Sequence, residues 1–330
     1  MTPVPPLNPP TRIGLVALAL AGLVFAAPAA SAAANAPPHI VDLGTLTGQC
    51  CSAATSINDS GDVVGASTVG SANHAFRWHQ GRMTDLGTLG GPGGAAADIN
   101  NAGDVVGSSD TAAGTTHAVL WRDGHVIDLG TLGGDRSYAT AVNNRGEVAG
   151  FSETANGLSL HPFLWRDGTM TDLGAPAGGY ARAYDIDDRG RVVGTSSVDG
   201  MNSAAVRWQR GTTTALTTRP GQATATNDHG QVAGFYYGDH AFLWSRGRLV
   251  DLPKPAGSIA AQAWGINNHG QVVGDFDTGA VLWQDGRLTV LPSLVGAGGS
   301  ARHINNRGQI VGYSNTDPMG GNAHAVLWTR

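Results

Sequence analysis

The sequence predicts an all-β protein: a seven-bladed β-propeller of four-stranded antiparallel blades, its ring closed by the N-terminal strand. Three observations carry that prediction: a composition poor in helix formers, one octet that recurs along the chain, and two chain ends that complete each other. Of 330 residues 49 are glycine, while lysine occurs once (Lys254) and glutamate twice (Glu147, Glu153). The charged helix formers are nearly missing, and Gly beside Asn or Asp marks many tight turns. The octet reads NDSGDVVG from Asn58, NNAGDVVG from Asn100, NNRGEVAG from Asn143 and DDRGRVVG from Asp187. It returns as NDHGQVAG from Asn227, NNHGQVVG from Asn267 and NNRGQIVG from Asn305, making seven copies. One tryptophan follows each copy (Trp78, Trp121, Trp165, Trp208, Trp244, Trp283, Trp328), at spacings of roughly 36 to 45 residues, the period of a four-stranded blade.

Within a unit the elements follow in order. A short strand ends in Ile-Asn, as in Ala96 to Asn100, and Asn-x-x-Gly then signals a type I turn. Val-Val-Gly opens a second, buried strand. After a polar loop, His117 to Trp121 (HAVLW) forms a third, and Asp123-Gly124 is a hairpin signal repeated at Asp167-Gly168 and Asp285-Gly286. A fourth strand is expected over Val126 to Leu132, VIDLGTL. The last unit stops at Arg330 without a fourth strand, whereas Ile40 to Leu46 (IVDLGTL) is a spare one ahead of the first unit. Placing the spare strand in the last blade gives every unit four strands and leaves no sheet edge open.

The first 38 residues are of another kind. Arg12 precedes an apolar run of 15 residues, Ile13 to Ala27, and Ala30-Ser31-Ala32 follows as a cleavage site. The run falls short of the ~20 residues that span a bilayer, so residues 1–32 read as a signal peptide, 33–39 as a linker and 40–330 as the propeller. The expected product is secreted and monomeric, with no membrane segment left after cleavage. The formal net charge is −5, and the arginines are scattered singly among acidic residues, which argues against nucleic acid.

The third-strand motif, HAF at His74 and His240, HAVLW at His117 and His324 and HPFLW at His161, occurs together with DLGTLGG at Asp85 and Asp128. With these motifs the chain resembles the HAF-repeat family of extracellular repeat proteins over residues 40–330. The resemblance implies secretion and repeat architecture, and it carries no reaction. Blades 4 and 6 depart from it, with Ala204 and Gly279 where His is expected, and blade 5 has Ala215-Leu216-Thr217 in place of Asp-Leu-Gly.

No catalytic residue, metal or cofactor is expected. Ser, His and Asp such as Ser67, His74 and Asp85 recur from unit to unit, as frame residues do, and the tryptophans read as packing between blades. The acidic stretch Asp185 to Gly190 has too few oxygen ligands for calcium. Cys50 and Cys51 are the only cysteines, and export leaves three states open: a vicinal disulfide, to which the reading leans, free thiols, or bonds to a partner. Counting back from the octet, an alanine is invariant (Ala54, Ala96, Ala139, Ala183, Ala223, Ala263, Ala301), while both its neighbours vary. Those neighbours place Tyr138, Arg182, Tyr184, Gln222, Gln262, Trp264 and Arg302 in a crescent over blades 3 to 7, suited to a polar ligand such as a glycan or peptide. A binding or scaffold module is therefore the leading expectation. Two rivals are a hydrolase or lyase acting on cell-wall or matrix polymer, with Asp98, Asp185 and His303 as its candidates, and a structural surface protein without ligand.

Overall fold

A computed structural model describes residues 38–155, 159–176, 179–197, 203–277, 279–296 and 298–330; the expected signal peptide lies outside them. The described residues form seven four-stranded antiparallel sheets. In blade 1 the strands run Ser52–Ile57, Val63–Val69, Ala72–His79 and Arg82–Asp85. Blade 7 takes its first three from Gly299–Ile304, Ile310–Asn315 and Ala323–Thr329. Its fourth is the N-terminal strand His39–Asp42, paired antiparallel with the last strand from His39 opposite Thr329 to Asp42 opposite Val326. The protein is thus a closed seven-bladed β-propeller.

Seven apolar clusters hold the ring, each shared by two adjacent blades. The one that seals it joins Ile57, Val63 and Phe76 of blade 1 to Val311, Ala325 and Leu327 of blade 7. Every repeat tryptophan packs into one of these clusters, and Trp328 donates its indole N–H to the Pro292 carbonyl in the preceding link at 2.7 Å.

The octet has a second role that turn chemistry does not suggest. Its first residue ties each blade to the next: Asn58, Asn100, Asn143, Asn227, Asn267 and Asn305 donate from Nδ2 to the backbone carbonyl of the next blade's first octet residue, at 2.9–3.2 Å. Asp187 has no amide to donate, and Arg191 replaces it, reaching the Asn227 carbonyl at 3.3 Å and the Asp228 carbonyl at 3.0 Å. The second octet residue forms a parallel ring in which each backbone N–H donates to the next blade's Asp or Asn side-chain oxygen, at 2.7–3.0 Å through all seven blades. Both rings close from blade 7 to blade 1.

The two glycines of the octet serve different ends. The fourth residue has positive φ, as at Gly190 (71°). The eighth lies against the first strand, and a Cβ on Gly194 would meet the Arg182 carbonyl oxygen at 1.9 Å.

The fourth strands are shorter than expected, His125–Asp128 instead of Val126 to Leu132, and His39–Asp42 begins one residue earlier than the anticipated Ile40 and ends well before Leu46. The chain turns at Asp-Leu-Gly because the Asp side chain accepts the Gly N–H, at 2.8 Å for Asp128 and Gly130, with Gly130 at φ 75°. The same carboxylate accepts or shares the proton of the third-strand histidine in four blades: His74–Asp85, His117–Asp128, His161–Asp172 and His324–Asp42, at 2.6–2.9 Å. His240 turns instead to Asp239.

Candidate functional site

All seven first strands carry a β-bulge immediately after the invariant alanine. The bulged residue is Thr55, Ala97, Thr140, Tyr184, Thr224, Trp264 or Arg302, left without a register partner and free to be aimed differently from its neighbours. In blades 1, 3 and 5 the threonine bridges two blades: Thr224 Oγ1 donates toward the Ala233 carbonyl at 3.2 Å and the Ala263 carbonyl at 2.7 Å. Blades 4, 6 and 7 forgo that tie and place Tyr184, Trp264 and Arg302 there. We call the end where first strands begin, and where blades link, the top.

The crescent residues fall into two groups. In blades 3 and 4, Tyr138 stacks on Phe151 with ring centroids 5.1 Å apart, and the Arg182 guanidinium lies 5.1 Å from the same ring. Arg182 Nε is buried without a hydrogen-bond partner among the described residues. Burial pushes the Tyr184 hydroxyl above its ordinary value of 10.0, with the charge of Arg182 opposing.

In blades 5 to 7, Trp264 meets Phe235 edge-on at 5.2 Å and donates its indole N–H to Asp275 at 2.8 Å. Arg302 lies over Trp264 at 4.4 Å and over Tyr313 at 5.6 Å, inside cation–π range. Beside them a cavity of about 390 Å³ opens between blades 6 and 7, lined by Gln262, Asp275, Tyr313 and Asn315 among others. Gln222 pairs in register with Phe235 and has no side-chain hydrogen bond among the described residues. Phe151, Phe235, Asp275 and Tyr313 are participants that sequence reasoning missed. All four directly follow the octet's last glycine, a variable position whose pairing opposite the crescent depends on strand register.

Asp98, Asp185 and His303 lie together at the far end of the first strands, on a tunnel cavity of about 140 Å³. Ser56 Oγ donates to Asp98 at 2.6 Å and lies 3.3 Å from His303 Nδ1. The Ile57 N–H also points at Nδ1, at 3.3 Å, which makes that nitrogen an acceptor and puts the proton on Nε2. Burial holds His303 below its ordinary 6.5, against the opposing charge of Asp98. Burial pushes Asp185 well above its ordinary 3.8, and the nearby Asp98 charge adds to the effect. The oxygens of the acidic stretch are committed to protein donors: Asp185 to the N–H groups of Ile186 and Thr226, and Asp188 to Asn144.

Cys50 and Cys51 lie just ahead of the first strand of blade 1. Their Sγ atoms lie 2.6 Å apart, and Cys50 is exposed. Adjacent residues on a trans peptide hold their Cα atoms ~3.8 Å apart, closer than the usual disulfide span.

No protein-family model and no curated protein matches the chain. Among solved structures, one from a study of two prolyl endopeptidases is similar at TM-score 0.54 and 12% identity, over 85% of this chain and 50% of that one. A puromycin-hydrolysing peptidase of Mycobacterium tuberculosis is similar at TM-score 0.52 and 13% identity, over 84% of this chain and 54% of that one. The chain spans about half the length of these two proteins, and the likeness is one of fold.

Proposed function

We propose that the protein is a secreted HAF-repeat propeller that binds a polar extracellular ligand, a glycan or peptide, on its top face. The observation that carries the reading is the Trp264–Arg302–Tyr313 stack beside the cavity between blades 6 and 7. A volume of about 390 Å³ falls in the usual range for ligand sites, and Gln262, Asp275 and Asn315 supply donors and acceptors around an aromatic wall. The large side chains stand where three other blades spend a threonine on an inter-blade tie, so the frame does not require them. The test is a glycan and peptide array probed with the wild type and with Trp264→Ala/Arg182→Ala. At least one ligand captured by the wild type should be lost by the double variant; unchanged capture of every ligand overturns the reading.

A second reading, an extracellular hydrolase or lyase, draws on the Asp98–Ser56–His303 chain and the proton-holding Asp185. The size of the tunnel cavity weighs against it. About 140 Å³ suits a few ordered waters, whereas sites for small molecules begin near ~300 Å³. A matrix polymer activity lost on Asp98→Asn, with folding intact, would restore this reading.

A further inference from the structure

A cavity of about 680 Å³ opens in the cleft between blades 3 and 4, away from the top-face stack. Four arginines line it: Arg145, Arg166, Arg189 and Arg210. In sequence they stand singly, which gives no basic stripe; the ring gathers them. Arg145 and Arg189 are the third octet residues of adjacent blades, Arg166 follows the blade 3 tryptophan, and Arg210 sits in the blade 4 hairpin.

The four guanidiniums face two carboxylates. Glu147 is shared by Arg145 and Arg166, and Asp172 already pairs with His161. Arg189 and Arg210 are exposed and form no ion pair among the described residues. Arg210 also occupies a left-handed position (φ 50°) that Asp123, Asp167 and Asp285 fill in three other blades and Gln80 and Arg246 in two. Aspartate tolerates that conformation better than a long side chain does, so backbone preference does not explain the arginine. Half-buried Leu164 and Leu173 give the cleft an apolar wall, with Thr171 and Gln209 beside them.

We propose that this cleft binds a carboxylate-bearing oligosaccharide, its carboxylates on Arg189 and Arg210 and its ring faces against Leu164 and Leu173. The guanidinium fork matches a planar carboxylate in two parallel hydrogen bonds. Sugar rings supply the apolar faces and hydroxyls that the leucines, Thr171 and Gln209 accept. One charge per ring also suits a cleft whose positive charge is partly offset. A densely charged phosphate polymer calls for the basic field that a chain of net charge −5 lacks.

The experiment is calorimetric titration of the full mature chain with trigalacturonate as probe, its methyl ester as neutral control and inorganic phosphate as competitor. The wild type should bind the acid form with an affinity that falls as salt is added, and should not bind the ester. Arg189→Gln/Arg210→Gln should weaken binding by about tenfold or more. Arg246→Gln, which alters the same hairpin position in blade 5, should leave it unchanged. Should the double variant melt early, the two single variants carry the comparison. No binding of the acid form, equal binding of the ester, displacement by equimolar phosphate, or a folded double variant within about twofold of wild type overturns the proposal. The site shares no residue with the top face, so either can fail alone.

Discussion

At the scale of single residues, the tunnel joins two groups whose protonation works in opposite directions. Burial keeps Asp185 protonated above its ordinary 3.8, with Asp98 adding to the effect. The folded state therefore holds a proton that the unfolded chain releases, and stability falls as pH rises above 3.8 through the raised value. Burial favours neutral His303, so unfolding takes up a proton below 6.5, and stability is lost as pH falls from 6.5 through the lowered folded value. Urea unfolding across this range should show less loss toward high pH in Asp185→Asn than in the wild type. An unchanged profile would mean that Asp185 is ionised in the fold. Residues of this kind were only partly legible. Their common position on the inner strand was readable from the octet, but the Ser56 bridge between Asp98 and His303 depends on how three blades converge.

At the scale of the repeat element, the octet is a turn, a close-packing site and an inter-blade clasp at once. Only the turn was evident from sequence, because Asn-x-x-Gly is a local signal, whereas the clasp is made to a residue about forty positions away. Blade 4 shows that the clasp is a donor–acceptor requirement and not a demand for asparagine. Where Asp187 replaces Asn, the fifth residue becomes Arg191, which pairs with the buried carboxylate and supplies the missing donor. Arg191→Gln alone should leave Asp187 buried and unpaired, at a cost of about 3–5 kcal/mol. Asp187→Asn with Arg191→Gln restores the pattern of blades 5, 6 and 7 and should return stability to within about 1 kcal/mol of wild type. A double-mutant cycle by urea unfolding measures this; additive losses would show that the two positions act separately. The variable positions tell the complementary story. Trp264 and Arg302 stood out because they break a repeat, but their second-strand neighbours Phe235 and Tyr313 did not. A bulge shifts the register by one residue there, and sequence spacing alone misplaces the pairs.

At the scale of the whole molecule, the mismatch of the chain ends was the most informative feature, and the structure resolves it as a closing strand. His39–Asp42 places half-buried Ile40 and Val41 against the clusters on either side of blade 7, and Asp42 pairs with His324. A chain truncated to begin at Leu43 should lose about 2–4 kcal/mol, and hydrogen exchange should rise first in the strand Ala323–Thr329. Equal stability of the truncated chain would deny that strand its closing role. The arginine cleft marks what sequence reading could not reach: its four cations lie on four separate turns and strands, and only blade packing brings them together.

The frame of the propeller is repetitive, and the proposed recognition resides in residues that depart from it. Trp264 is the one tryptophan outside the repeat, it donates its indole N–H to Asp275 on the wall of the proposed ligand cavity, and the other seven are packed between blades. The decisive measurement is tryptophan fluorescence titrated with an array ligand that the wild type captures and Trp264→Ala/Arg182→Ala does not. The wild type should show a saturable change that Trp264→Phe abolishes while the emission of the packed tryptophans persists. The same saturable change in Trp264→Phe would contradict that recognition.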